Sequence, residues 1–421
     1  MDSRERLRLA LDHKPTDRPP VDLGATTVTG IAASALYGLR KATGLGELPV
    51  KVHEPFQILG KVEDADRLAL GIDVAGIFGP GNFFGYGART WKPWTAPGDT
   101  PVLIGSGFET VLDAKGDTLV FPRGDRTLSP SGRLPKGGWY FDGILRQEPV
   151  DEEDLDGRRD FREQFTVFTE DELAFFRDEA ETLYSGTSCG LVLNFGGGGL
   201  GDVAFLPGTM MARTPGIRGV EDWYAAHLLH PGYIHEVFSL QTEVALENLA
   251  LLWEAVGGRA DAVFLSGTDF GTQRSEFMSR DMFREFYRPY YERLNGWVHE
   301  HTTWKTFFHS CGSIPNLLDD FVGMGVDILN PVQCSAFGMD ARDLVTKYGD
   351  RLVFWGGAVD TQKTLPFGTP EEVDREVRER IRILGGRGGL VVNPIHNIQG
   401  RTPVENLLAF FRAARGEAGR R

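Results

Sequence analysis

Residues 306–334 read Thr-Phe-Phe-His-Ser-Cys-Gly-Ser-Ile-Pro-Asn-Leu-Leu-Asp-Asp-Phe-Val-Gly-Met-Gly-Val-Asp-Ile-Leu-Asn-Pro-Val-Gln-Cys. Two short apolar runs, Thr306–Phe308 and Val326–Leu329, flank a segment long enough for one helix. Continuous apolar runs of this length are typical of strands buried on both faces of a parallel sheet. The same unit recurs on either side, at Leu191–Phe195, Ala262–Leu265, Leu352–Trp355 and Leu390–Val392. Nearer the N-terminus, Pro19–Gly24 and Ile72–Ile77 supply two more runs, making eight.

Amphipathic helices separate the runs. Val237, Leu240, Val244, Leu251 and Leu252 make one stripe; Phe283, Tyr287, Tyr290, Leu294 and Val298 another; Val373, Val377, Ile381 and Leu384 a third. Thr369-Pro370-Glu371-Glu372 and Thr402-Pro403-Val404-Glu405 match the capping box, in which a hydroxyl and a carboxylate satisfy the first free amides of a helix. Eight alternating units predict an α/β fold, a closed (β/α)8 TIM barrel forming one domain over residues 1–421. Residues 86–185 interrupt the rhythm after the second strand. Short β-like runs at Pro101–Ile104, Thr110–Asp113 and Thr118–Phe121 alternate with turn signals up to about residue 145, and residues 150–185 are charged and helical. This stretch reads as a β-hairpin and helical insertion.

Composition narrows the function classes. Acidic residues number 59 against 45 basic, a formal charge of −14. That balance disfavours a nucleic-acid partner or an anionic membrane surface. Three cysteines, Cys189, Cys311 and Cys334, do not make a disulfide framework and fit a reducing, cytoplasmic setting. The charged opening Met1–Lys14 has no apolar core of a signal peptide, and no run of about eighteen apolar residues is present.

In a parallel barrel the loops after the strands share one mouth, and catalytic groups gather there. His309-Ser310-Cys311-Gly312 follows the fifth strand. Imidazole and thiolate are zinc ligands; the alternative is a cysteine filling apolar space beside a hydrogen-bonded histidine. His396, in Asn393-Pro394-Ile395-His396-Asn397, follows the eighth strand and is expected at the same mouth, as a metal ligand or an acid/base. Cys334 after the sixth strand is a candidate third soft ligand or an apolar filler. Asp269 after the fourth strand, Asp360 after the seventh and Asp73 in the second are candidates for proton handling or a metal shell, against the plainer roles of cap or loop anchor. Cys189 precedes a strand and is expected to be structural. The run Gly196–Gly199 lacks the Gly-Lys-Ser/Thr ending of a phosphate loop. His227, His230 and His235 are expected on a helix surface.

These stretches together resemble the uroporphyrinogen decarboxylase superfamily. The likeness lies in Arg4–Pro20, Phe308–Ile314, Gly325–Gln333, Gly356–Gln362 and Pro394–Asn406, and it spans nearly the whole chain outside residues 86–185. The resemblance implies one of two chemistries: porphyrinogen decarboxylation without a cofactor, or zinc-dependent methyl transfer between a corrinoid and a thiol or pterin. The zinc branch carries a His-x-Cys pair after strand five, matched by His309 and Cys311, and a third ligand, usually Cys, after strand eight, where this chain has His396. The decarboxylases hold substrate with a strand-end Asp, positionally Asp73, a His near strand eight, again His396, and arginines after the first strand. Here that stretch is Leu23-Gly24-Ala25-Thr26-Thr27-Val28-Thr29-Gly30, without a cation. The resemblance therefore implies a zinc methyltransferase using cobalamin or a small corrinoid protein together with a small-molecule substrate, and a homodimer. Its alternative is a metal-free decarboxylase of a smaller substrate, with Asp73 and His396 moving protons.

Overall fold

The computed structural model describes residues 1–87 and 89–417; Ala88, inside the expected insertion, and residues 418–421 of the expected domain lie outside them. Seven strands form one parallel sheet. In chain order they are Val74–Ile77, Gly190–Asn194, Ala262–Ser266, Lys305–His309, Ile328–Asn330, Val353–Trp355 and Leu390–Val391, each paired with its neighbours in sequence. The two edge strands meet the segment 20–22. Val392 N–H donates to Pro20 O at 2.8 Å, Asp22 N–H to Val392 O at 2.9 Å, and Asp73 N–H to Val21 O at 2.7 Å. Val21 and Val392 form a parallel bridge. Three residues thus close the TIM-barrel-like sheet where a longer strand, Pro19–Gly24, was expected. Pro19 and Pro20 carry no N–H and cannot extend a ladder.

Alternation along the strands sorts the side chains. Val74, Val192, Ala262, Phe264, Phe307, Ile328, Val353, Trp355 and Val391 form one buried cluster with Ala25 and with Leu7 and Leu11 of the first helix, Ser3–Leu11. Leu191, Leu193, Val263, Leu265, Phe308, Leu329 and Phe354 belong to the second cluster, under the surrounding helices. Leu7 enters at the N-terminal ends of the strands, where Gly190 makes room: a Cβ there would lie 2.3 Å from Leu7 Cδ2. Among the described residues no helix is long and apolar enough to cross a membrane.

The insertion is β-rich and then helical, as expected, but it is not self-contained. Thr100–Gly105 pairs antiparallel with Trp91–Ala96 and parallel with Val50–Glu54, which precedes the second barrel strand. Val50 and Val52 face inward in a five-residue strand too short to stand out as a period-two pattern. A second antiparallel sheet joins Thr110–Leu112, Thr118–Val120, Gly132–Leu134 and Asp142–Gly143. Gly157–Phe161 and Glu170–Gly186 are the helices that follow. Of the two expected capping boxes, the one at Thr369 forms. At Val404–Ala414 the cap is Pro403, with no side-chain cap bond.

Asp73 does not stand at the mouth. It precedes Val74–Ile77, at the N-terminal pole, and both its oxygens are consumed there. Oδ1 accepts from Arg6 Nη1 at 2.7 Å and Ser3 Oγ at 2.7 Å; Oδ2 accepts from Arg18 Nη1 at 2.6 Å and Val21 N–H at 2.8 Å. The carboxylate ties the first helix and the closing segment to the second strand, so the expected catalytic role is replaced by a structural one. Removing one partner of a buried ion pair strands the other charge, at a cost of about 3–5 kcal/mol. Asp73→Ala is expected to lower unfolding free energy by that amount in denaturant titration, while the turnover per folded molecule stays unchanged; lost turnover at full stability would return Asp73 to the site. Thr369→Ala should cost about 1 kcal/mol in the same assay through its lost cap.

Candidate metal centre at the barrel mouth

The last inward-facing residues of three neighbouring strands build the floor of the mouth. In Lys305–His309, Phe307 points to the barrel axis, so His309 two residues on points the same way. Ile328 likewise aims Asn330 inward, and Val353 aims Trp355 inward. His309 and Asn330 are direct register partners. Cys311 lies two residues past the His309 strand, on a turn that only glycine allows. Gly312 adopts φ +91°, and a Cβ there would lie 2.4 Å from the Gly271 carbonyl. Gly312 N–H donates to Gln333 Oε1 at 2.7 Å, and Cys311 N–H to Asp269 Oδ1 at 2.6 Å. The loops after three strands therefore lock the thiol in place.

The expected convergence is present. One donor atom each from His309, Cys311 and His396 fall within 4.8 Å of one another, the one such group of three among the described residues. His309 Nε2 is 3.3 Å from Cys311 Sγ, and the two imidazole centroids are 5.3 Å apart. A tetrahedral zinc with Zn–S of about 2.3 Å and Zn–N of about 2.0–2.1 Å has ligand–ligand edges of roughly 3.4–3.6 Å. The donor set comes within roughly 1.4 Å of that frame before any ion is added.

The electrostatics suit a cation as well. Burial pushes His309 down to about 4, opposed by its bond to Asn330. Burial, and then His309, push His396 down to about 4. Both imidazoles are neutral, as metal ligands must be. Burial, and then Asp269, push the Cys311 thiol up. A thiolate at this position calls for a bound cation.

Asp269 joins the site from outside the group of three. Its Oδ1 lies 3.7 Å from His309 Nε2, and burial raises its carboxyl while the Cys311 N–H opposes the shift. Asp202, overlooked in the sequence, extends this acidic side. Burial, and then Asp269, raise it to about 7, and its one backbone donor is Ala204 N–H at 2.9 Å. It sits at the end of the Gly196–Gly201 loop, which Gln241 Nε2 fixes by donating to Gly197 O at 3.0 Å and Gly199 O at 3.1 Å. Asn330 was overlooked too: a neutral carboxamide carries none of the titratable signal used to choose candidates, although it stands at a strand end like the rest.

Two expected residues are not brought in. Cys334 is half-buried and turned toward the outer helices, near Asp340, Glu376 and Arg380; burial lifts its thiol to about 11. The turn at Pro331–Gln333 carries it away from the barrel axis. Asp360 anchors its own loop, with Oδ1 accepting from Gln362 N–H at 2.7 Å and Lys363 N–H at 3.1 Å. His227 is not on a helix surface: it is buried, its Nε2 3.0 Å from the Tyr287 hydroxyl.

Comparison with known proteins bears on the fold and the family. A solved structure, that of a methyltransferase from Methanosarcina mazei, has a TM-score of 0.56 and 17% identity to this chain, with 99% of each chain covered. No curated protein matches the sequence. The family model for uroporphyrinogen decarboxylase (URO-D) matches residues 205–416, a segment that holds His309, Cys311, His396 and Asp269. That match takes in half of the 421 residues, and the chain belongs to the uroporphyrinogen decarboxylase (URO-D) family.

Proposed function

We propose that the protein is a zinc-dependent methyltransferase that moves a methyl group between a corrinoid, free cobalamin or a small corrinoid protein, and a thiol or pterin-type acceptor. The observation that carries this reading is the approach of one thiol and two neutral imidazoles, His309, Cys311 and His396, to within 4.8 Å at the mouth of the barrel. His309, Cys311 and His396 would hold the ion and leave one position open, as in catalytic zinc sites. When bound, zinc supplies the Lewis acidity that lowers the pKa of a thiol at the centre.

The chain's own residues supply the rest. Asp269, held by Cys311 N–H at 2.6 Å and 3.7 Å from His309 Nε2, is placed to accept the proton that a thiol substrate gives up. Asp202, raised in part by Asp269, is a second carboxyl near it that can take up a proton. The 23–30 loop favours methyl transfer over porphyrinogen decarboxylation. It presents no cation, and the carboxamides of Asn194, Asn393 and Asn397 hold it through the carbonyls of Ala25, Thr29 and Thr27. A polyanionic porphyrinogen finds no arginine clamp on that loop. The alternative pairing of Asp73 with His396 is less favoured, because Asp73 precedes its strand and both its oxygens are already bonded to Ser3, Arg6, Arg18 and Val21 N–H.

Purified protein is expected to carry about one zinc per chain, and EDTA should remove both the metal and the demethylation of methylcob(III)alamin by a thiol. Cys311→Ser should cost on the order of a hundredfold or more in that rate. Activity that survives in metal-free protein would refute the proposal. Asp269→Asn should keep the zinc and lower kcat by about 10²–10⁴-fold, the range of a lost general base; unchanged kcat would remove Asp269 from the reaction.

A further inference from the structure

We propose that Asn330 is the positioning residue of the metal centre: it commits His309 to one tautomer, so that Nε2 alone faces the metal. The inference rests on the metal-centre reading and adds to it a residue that touches neither metal nor substrate.

Asn330 Nδ2 donates to the backbone carbonyl of Trp355 at 2.9 Å. A carbonyl only accepts, so the NH2 end of the carboxamide must face Trp355 and the oxygen end must face away. That oxygen lies 2.5 Å from His309 Nδ1. Oδ1 is an acceptor, so Nδ1 must carry the hydrogen. The lone pair of the neutral ring is then left on Nε2, the nitrogen 3.3 Å from Cys311 Sγ. Asn330 is fully buried and His309 almost so, which keeps water from offering either group another partner.

The carbonyl that orients Asn330 is itself held. Trp355 is fully buried, and its Nε1 donates to Asp22 Oδ2 at 2.8 Å, while Asp22 Oδ1 accepts from Ala25 N–H at 3.0 Å. A continuous belt runs from the closing segment of the barrel through Trp355 and Asn330 to His309. Each link is the top inward residue of adjacent strands, or a backbone atom of the barrel wall, so the rotation of the imidazole is set by the wall and not by a loop. Partners that donate or accept at the remote nitrogen of a ligating histidine typically govern metal affinity by 10–100-fold.

The test is zinc affinity, read by competition with a chromophoric chelator, in Asn330→Ala and in the near-isosteric Asn330→Leu. Both should bind zinc about 10–100-fold more weakly than the wild type. Loaded with cobalt(II), both should lose intensity in the visible ligand-field bands of a tetrahedral site. Asn295→Ala is the control for general weakening. Asn295 is equally buried, with Nδ2 bonded to Met324 O at 2.8 Å behind the barrel wall, and its loss should leave zinc affinity unchanged. Undiminished affinity in a folded Asn330 variant overturns the proposal, as does equal weakening in Asn295→Ala or a wild type that binds no zinc. Zinc binding that follows the prediction in a protein without methyl transfer would leave Asn330 in place and refute only the reaction.

Discussion

The site depends on the register that sets His309 opposite Asn330 in adjacent parallel strands. Period-two alternation forces every second side chain onto the barrel axis, and lower in the barrel that axis is filled by the buried side chains of Phe307, Ile328 and Val353. At the last position the apolar series ends, and His309 and Asn330 take the places that a further apolar layer would hold. A one-residue slip in either strand would turn its own polar end residue toward the surrounding helices and leave the other without its partner. The same register that buries the barrel core therefore orients the centre.

The two poles of the barrel treat carboxylates in opposite ways. At the N-terminal pole, Asp73 is met by Arg6, Arg18, Ser3 and a backbone amide, and serves as a structural tie. At the mouth, Asp269 and Asp202 are met by backbone amides and by a histidine, without an arginine or lysine partner among the described residues. Burial without an arginine or lysine beside them raises both carboxyls, Asp202 to about 7. Identical side chains thus become structure or chemistry according to the charges the fold brings to them.

The insertion and the first-strand loop frame the mouth from outside. The sheet built from residues 50–60 and 91–105 bridges back to the barrel: Ala32 pairs with Leu59 and Ile31 with Ile398. Asn397, next to His396, donates to Gln57 Oε1 at 3.0 Å and to Thr27 O at 2.9 Å. The stretch before the insertion, which pairs with it in one sheet, thus reaches the segment that carries His396, more than three hundred residues away in the sequence.

Local physics made much of this legible before any coordinates. Apolar runs such as Ala262–Leu265 and Leu352–Trp355 fall within one or two residues of observed strands, because burial on both faces leaves no other pattern open to them. His309, Cys311 and His396 could be read as one group because loops after parallel strands end at a common mouth. The sequence by itself determined the alternating units, the polar residues at their ends and the absence of a cation in residues 23–30. Only the tertiary structure decided that Asp73 belongs to the wrong pole, that Cys334 turns outward, and that Asp202 and Asn330 belong to the centre. The physical reason is that side-chain direction and electrostatic environment are set by partners distant in the chain: Arg6 and Arg18 around Asp73, the outer helices around Cys334, Asp269 beside Asp202 and the Trp355 carbonyl against Asn330.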